Sequence, residues 1–163
     1  MKIRQTFGKE TSSLIIFRVD DRDAAIVAIL ERDGRATFSD IATRVGLAPS
    51  SVHERVRKLE RAGVIRGYRA EVEPSALGLL VTALVSVMPL DPKQPDDIPE
   101  RVVEFPEVEA CHSVAGDENY VLKVRTRTPG ELEDFLRRLR EKAGVQTRTT
   151  VVLSTPFEHR PLV

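Results

Sequence analysis

The stretch from Phe38 to Ala62 leaves this chain the least freedom. It holds two short helical patterns separated by Gly46-Leu47-Ala48-Pro49. In the first, Ile41, Ala42 and Val45 fall on one apolar side; in the second, Val52, Val56 and Leu59 make the buried stripe. Ser39 is expected to cap the first helix, its hydroxyl accepting a free amide of the first turn. Gly46 stands where a helix closes in the left-handed conformation, which Gly adopts at little cost. Pro49 is expected to keep the chain from re-entering helix too early. Ser51 and Glu54 form a Ser-X-X-Glu capping box expected to open the second helix. Small Ala42, turning Gly46 and angle-filling Val52 are what two helices need to pack across a short turn.

The outward residues of the second helix carry the functional signal. Ser50, His53, Glu54 and Arg57 share one face, with Lys58 and Arg61 behind them. A helix-turn-helix reader of duplex DNA needs this arrangement: small polar groups near the helix N-terminus for base edges, cations further along for phosphate. The expected DNA-facing set is Ser39, Pro49, Ser50, Ser51, His53, Glu54, Arg57, Lys58, Arg61 and Arg66. The plain alternative is a helical hairpin whose charges only solvate one face. Arg55 lies off this face, beside buried Val56, and is expected to anchor an ion pair inside the domain.

The formal net charge is zero, but the charges are unevenly spread. Residues 1–19 carry four basic and one acidic residue, residues 20–69 ten and eight, and residues 70–163 eleven and sixteen. A basic stretch joined to an acidic remainder fits a DNA-binding module tied to a second task. Cys111 is the single cysteine, which excludes an internal disulfide and a cysteine-based zinc site and suits a reducing cytoplasm. It is expected to be a buried small hydrophobe. No apolar run is long enough to span a bilayer, and no signal peptide is evident, so no membrane association is expected. His53, His112 and His159 are scattered, and no metal or cofactor is expected.

Residues 1–19 read as a poorly ordered arm. Asp20 or Asp21 is expected to cap a helix running to about Asp33, with Ile26, Ile29 and Leu30 inward and Gly34 ending it. After Gly63, Val64 to Val72 reads as a strand or short wing. A winged helix-turn-helix over 20–70, a linker over 71–78, a second domain over 79–156 and a tail over 157–163 follow. The second domain reads strand, helix, strand, strand, helix, strand. Leu79–Met88 is the first strand. A proline loop runs from Pro89 to Pro95, and Asp96 or Asp97 starts a helix with Ile98, Val102 and Phe105 inward. Val108–Val114 is a strand, Tyr120–Arg127 alternates strictly, Thr128-Pro129-Gly130-Glu131 caps a helix closed by Gly144, and Gln146–Ser154 is the last strand. The predicted class is therefore α+β, with a βαββαβ ferredoxin-like sandwich in the second half. Apolar residues on both faces of the first strand predict a partner on the uncovered sheet face, most simply a second copy.

These stretches together resemble the Lrp/AsnC family of feast/famine transcription regulators. The likeness runs from Asp20 to about Leu153. It is carried by Val-Asp-Asp-Arg-Asp at 19–23, Asp-Gly-Arg at 33–35, Val-Gly-Leu at 45–47, Arg-Val-Arg-Lys-Leu-Glu at 55–60, Gly-Val-Ile-Arg-Gly-Tyr at 63–68, Leu-Gly at 77–78 and Val-Ala-Gly-Asp-Glu-Asn-Tyr-Val-Leu-Lys-Val at 114–124. With Pro-Leu-Asp-Pro-Lys-Gln-Pro-Asp-Asp at 89–97, the chain resembles actinobacterial members in particular. The resemblance implies a ligand-sensing second domain, homodimers built through its sheets, further association up to octamers, and binding of promoter palindromes at the nucleoid. It also implies an amino-acid effector near the turn before Tyr120, which here draws in His112, Ala115, Gly116, Asp117, Glu118, Asn119 and Tyr120. The family commonly has Asp where this chain has Asn119, so Asp117 and Glu118 become the groups able to pair an ammonium. Two other functions fit the same scaffold: a sirohaem-decarboxylase-type enzyme, for which no catalytic arrangement is visible, and a nucleoid-organising protein with little sequence preference.

Overall fold

The computed structural model describes residues 19–91, 93 and 97–162. Residues 1–18 of the arm expected over 1–19, the loop prolines Pro92 and Pro95, and Asp96 as a helix start lie outside the described residues. The described chain forms two compact units that divide between Ala70 and Glu71, with residues from His159 onward grouped with the first.

The first unit is three helices: α1 (Asp21–Arg32), α2 (Phe38–Val45) and α3 (Pro49–Arg61). Ile26, Ile41, Ala42, Val52, Val56 and Leu59 bury against one another, and Ile29, Leu30, Val45 and Ile65 pack around them. Asp20 caps α1, its carboxylate accepting from the Asp23 amide at 2.8 Å. Gly46 closes α2 in the left-handed conformation, φ 65°, and Arg22 donates to the carbonyls of Val45 and Gly46 at 2.6 and 3.2 Å. A cation thus meets free carbonyls at the negative end of α2.

Four local expectations for this unit are corrected. Thr37, not Ser39, caps α2: its hydroxyl accepts from the Asp40 amide at 3.2 Å and donates to the Asp40 carboxylate at 2.6 Å. This reciprocal pair starts the helix two residues earlier and leaves Ser39 within the first turn. Pro49 begins α3 instead of delaying it, since its fixed φ and missing N–H suit a first helical residue. Ala48 is then the cap residue, with no side-chain bond, so Ser51 and Glu54 do not form a capping box. Finally, α1 ends at Asp33 in extended backbone (φ −144°) rather than at Gly34.

No strand forms over Val64 to Val72 among the described residues. The amides of Val64 and Ile65 both turn back to the Leu59 carbonyl, and Gly67 sits at φ 153°, outside β geometry. Ile65 packs on the helical core, and Tyr68 donates its hydroxyl to Glu60 at 3.1 Å.

The second unit opens with a short 3-10 turn at Pro74–Leu77. It continues β1 (Val81–Pro89), α4 (Ile98–Val102), β2 (Val108–Ser113), β3 (Tyr120–Thr126), α5 (Pro129–Ala143) and β4 (Val145–Val152). The antiparallel sheet has order β2-β3-β1-β4, the ferredoxin-like arrangement. Ala83, Val85 and Val87 of β1 and Tyr120, Leu122 and Val124 of β3 bury against Leu132, Phe135 and Leu139 of α5. The expected two-residue period of β3 is visible as strict alternation of buried and half-buried residues. Helix α4 ends before Phe105, yet Phe105 is buried and meets Phe135 edge-on at 5.7 Å. Thr128 caps α5 through the Glu131 amide, while the Glu131 carboxylate reaches back to the Arg127 amide.

The other face of the sheet is less apolar than β1 implied. Leu84 is exposed there. Across from it, Lys123 and Arg125 of β3 are gathered with Glu109 and Glu158: Lys123 Nζ lies 3.1 Å from Glu109 and 2.5 Å from Glu158, and Arg125 Nε lies 2.5 Å from Glu109. Burial pushes the Glu109 carboxyl up, but hydrogen bonds from Arg125 and Lys123 outweigh it and hold the group below its ordinary range.

Candidate nucleic-acid interface and effector turn

All ten residues of the expected DNA-facing set are exposed. Ser50, His53, Glu54 and Arg57 share one side of α3, whose opposite side carries buried Val52, Val56 and Leu59. Packing on that stripe fixes which residues face out. Pro49, Ser50 and Ser51 occupy the first turn, where free backbone amides and the positive end of the helix favour phosphate. Lys58 and Arg61 lie in the last turns, and Arg66 follows the helix. Arg61 also pairs with Glu54 at 3.1 Å, an ion pair exposed on both sides and worth little against a phosphate. Ser39 sits in α2, its carbonyl accepting from the Thr43 hydroxyl at 3.0 Å.

Arg55 anchors the unit, as its place beside Val56 implied. Its Nη1 lies 2.7 Å from carboxylate oxygens of both Asp20 and Asp23. Hydrogen bonding to Arg55, then to the Asp23 amide, holds the Asp20 carboxyl below its ordinary value, and the same pairing pushes the Arg55 guanidinium up. One aromatic residue escaped the sequence reading. Phe38, at the start of α2, continues the Ile41/Ala42/Val45 side by one turn but stays 39% exposed, and its ring meets His53 at 5.1 Å between centroids.

The turn between β2 and β3 is closed by two backbone bonds: the Val114 amide donates to Asn119 and the Asn119 amide to Val87, at 3.1 and 3.2 Å. His112, Ala115, Gly116, Asp117 and Asn119 are exposed. The Glu118 side chain is only 15% exposed and pairs with Arg148 of β4. Tyr120 leaves this group: it is buried in the sandwich core. Arg148 had no signal in the sequence, because it lies thirty residues away and meets Glu118 only through strand order. Cys111 is exposed, against expectation, because β2 is an edge strand; the burial it does have pushes its thiol up. Among the described residues no group of three or more His, Cys, Asp or Glu is placed to hold a metal, and no helix is long and apolar enough to cross a membrane.

Comparison with known proteins ties the two units together. Residues 81–162 match the Lrp/AsnC ligand binding domain, and residues 19–66 match a winged helix-turn-helix DNA-binding domain. The chain is 51% identical over 142 residues to the HTH-type transcriptional regulator LrpA of Mycobacterium tuberculosis, covering 87% of this chain and 95% of that protein. The chain belongs to the Lrp/AsnC family. A second relative, the HTH-type transcriptional regulator FL11 of Pyrococcus horikoshii, is 36% identical over 86% of this chain and 93% of its own. Among solved structures, the feast or famine regulatory protein of Mycobacterium tuberculosis complexed with L-methionine aligns with TM-score 0.86 at 50% identity, covering 88% of this chain and 97% of that one. A transcriptional regulator from Neisseria meningitidis in complex with L-Met aligns with TM-score 0.81 at 28% identity, covering 90% and 97%. This Lrp/AsnC protein is accordingly a transcriptional regulator with a DNA-binding helix-turn-helix domain.

Proposed function

We propose that this Lrp/AsnC protein is a sequence-specific regulator of amino-acid metabolism, oligomeric and modulated by an amino acid, acting at the nucleoid in the cytoplasm. The observation that carries the proposal is the outward side of α3, where Ser50, His53, Glu54 and Arg57 stand exposed over a buried apolar stripe. In that role Ser50, Ser51 and His53 read base edges in the major groove. Arg57, Lys58, Arg61 and Arg66 meet phosphate, with Ser39, Pro49 and Glu54 at the edges of the footprint. A two-fold dimer places two such helices about one helical turn apart on the duplex and so favours palindromic half-sites.

The uncovered sheet face, with Leu84 beside the Lys123–Glu109 cluster, is the surface through which we pair two copies, with further association up to an octamer. The effector reading is supported by two structural relatives solved with L-methionine. The turn offers an exposed Gly116, whose backbone suits a carboxylate, and acidic Asp117 and Glu118 for an ammonium. The test is a gel-shift titration of the protein on its gene's upstream region, with random duplex as competitor and each amino acid added in turn. We expect a shifted band that random DNA competes poorly and that one class of amino acid changes. A protein that binds no duplex at modest ionic strength, or binds all equally, would overturn the proposal.

A further inference from the structure

We infer that Phe38 is a positioning residue for sequence readout, holding the His53 imidazole ready to contact one base pair in each half-site. The inference rests on the DNA-binding role proposed above and names a residue outside the DNA-facing set.

Phe38 is a large apolar residue, 39% exposed, on the surface of a small helical unit. It extends the apolar side of α2 by one turn, at helical spacing from Ile41, Ala42 and Val45, yet stays far more exposed than fully buried Ile41. Its ring meets the imidazole of His53, 5.1 Å between centroids and tilted by 57°. Aromatic pairs attract at this separation beyond their contact area. His53 otherwise stands exposed among Ser50, Glu54 and Arg57, and a free surface side chain loses rotamer freedom when it docks. A ring held against Phe38 has lost part of that freedom before DNA arrives. Any hydrogen bond to a base edge is then made by the imidazole nitrogens. A neutral imidazole offers one donor and one acceptor there. The major-groove acceptors for its donor are purine N7, guanine O6 and thymine O4, and we assign it purine N7, which both purines present. Because Phe38 sits on α2 and His53 on α3, the contact also ties the reading group to the angle between the two helices.

The experiment uses the full chain and a pool of randomised duplexes, with bound sequences selected and read out for wild type, Phe38→Leu, Phe38→Tyr, His53→Ala and the Phe38→Leu/His53→Ala double variant. Circular dichroism checks that each variant folds. The expected result is a palindromic wild-type motif in which Phe38→Leu flattens the same purine position as His53→Ala. That change should be worth roughly three- to tenfold in preference for the base. The double variant should lose no more than His53→Ala alone, Phe38→Tyr should keep the preference, and affinity for random duplex should stay within about twofold for Phe38→Leu and Phe38→Tyr. Replacing the selected purine by its 7-deaza form should cost wild type and Phe38→Tyr affinity but leave Phe38→Leu unmoved. A motif that Phe38→Leu preserves, or losses that add in the double variant, overturns the inference alone. A wild-type pool that enriches no motif overturns the DNA-reading role and this inference together.

Discussion

Arg55 of α3 lies 2.7 Å from Asp23 of α1, a carboxylate only 2% exposed. Removing the cation strands a buried charge, which costs more than the pair itself contributes. Because Arg55 keeps 32% of its side chain in water, the penalty falls below that of a fully buried pair. We expect Arg55→Ala to destabilise the helical unit by about 2 kcal/mol, and Asp23→Asn with Arg55→Met to recover part of it. Native-state hydrogen exchange at the amides of α1 and α3 measures this without interference from the sandwich unit.

Asp20 gives the same tether a pH dependence. Arg55 and the Asp23 amide hold its carboxyl below the ordinary 3.8, so the unfolded chain takes up the proton first as pH falls. The stabilisation is complete above about 3.8 and is lost as pH drops through the lower folded value. Asp20→Asn keeps a capping side chain but removes the charge. Exchange protection of α1 should therefore be higher in wild type than in Asp20→Asn near neutral pH, with the gap closing in acid. A gap that widened below pH 3.8 would reverse the assignment.

Capping separates two residues that look alike in the sequence. Thr37 bonds the Asp40 amide, while the Ser39 side chain has no capping role. Thr37→Ala should cost the helical unit about 1 kcal/mol, and Ser39→Ala a few tenths. Thermal melting of the two variants side by side decides it.

The outward residues of α3 are expected to divide by task. Arg57 and Lys58 are exposed beyond the first turn, where a groove-bound helix meets phosphate. Arg57→Ala or Lys58→Ala should weaken binding to every duplex about equally and lower the salt slope by about one. Ser51→Ala should leave the slope unchanged and alter which duplexes bind. Titrations at several salt concentrations distinguish the two behaviours.

Elements with a strong period were legible in the sequence. Val52, Val56 and Leu59 marked the buried side of α3, and the alternation from Tyr120 placed β3 and its inward face. What escaped were choices between competing local bonds. Thr37 and Ser39 both suit a cap, and only the Asp40 contact selects Thr37. Val64 to Val72 has strand composition, but the amides of Val64 and Ile65 are taken by Leu59. Contacts made by the fold across long separations were the least legible. Arg55 could be suspected as an anchor from its place beside Val56, yet Asp23 lies thirty-two residues away. Phe38 was readable as a residue at helical spacing from Ile41, Ala42 and Val45, but not as the neighbour of His53.

Arg148 sharpens the effector proposal into a competition. It already pairs with Glu118, whose side chain is mostly covered, so an arriving ammonium must displace a guanidinium to use that carboxylate. The exposed Arg148 then becomes free to meet the ligand's carboxylate, which Arg does in a planar, two-bond geometry. Glu118→Gln and Arg148→Ala should consequently act in opposite directions if Arg148 chiefly blocks the site, and in the same direction if it chiefly holds the ligand. Because Arg148 is 71% exposed, its pair with Glu118 is weak in water and easily displaced, which favours the holding role. We expect L-methionine to raise the melting temperature of wild type, and both Glu118→Gln and Arg148→Ala to reduce that rise. Asp117→Asn, at an exposed site on the same turn, should reduce it less. A larger rise in Arg148→Ala than in wild type would show that the guanidinium obstructs the ammonium site.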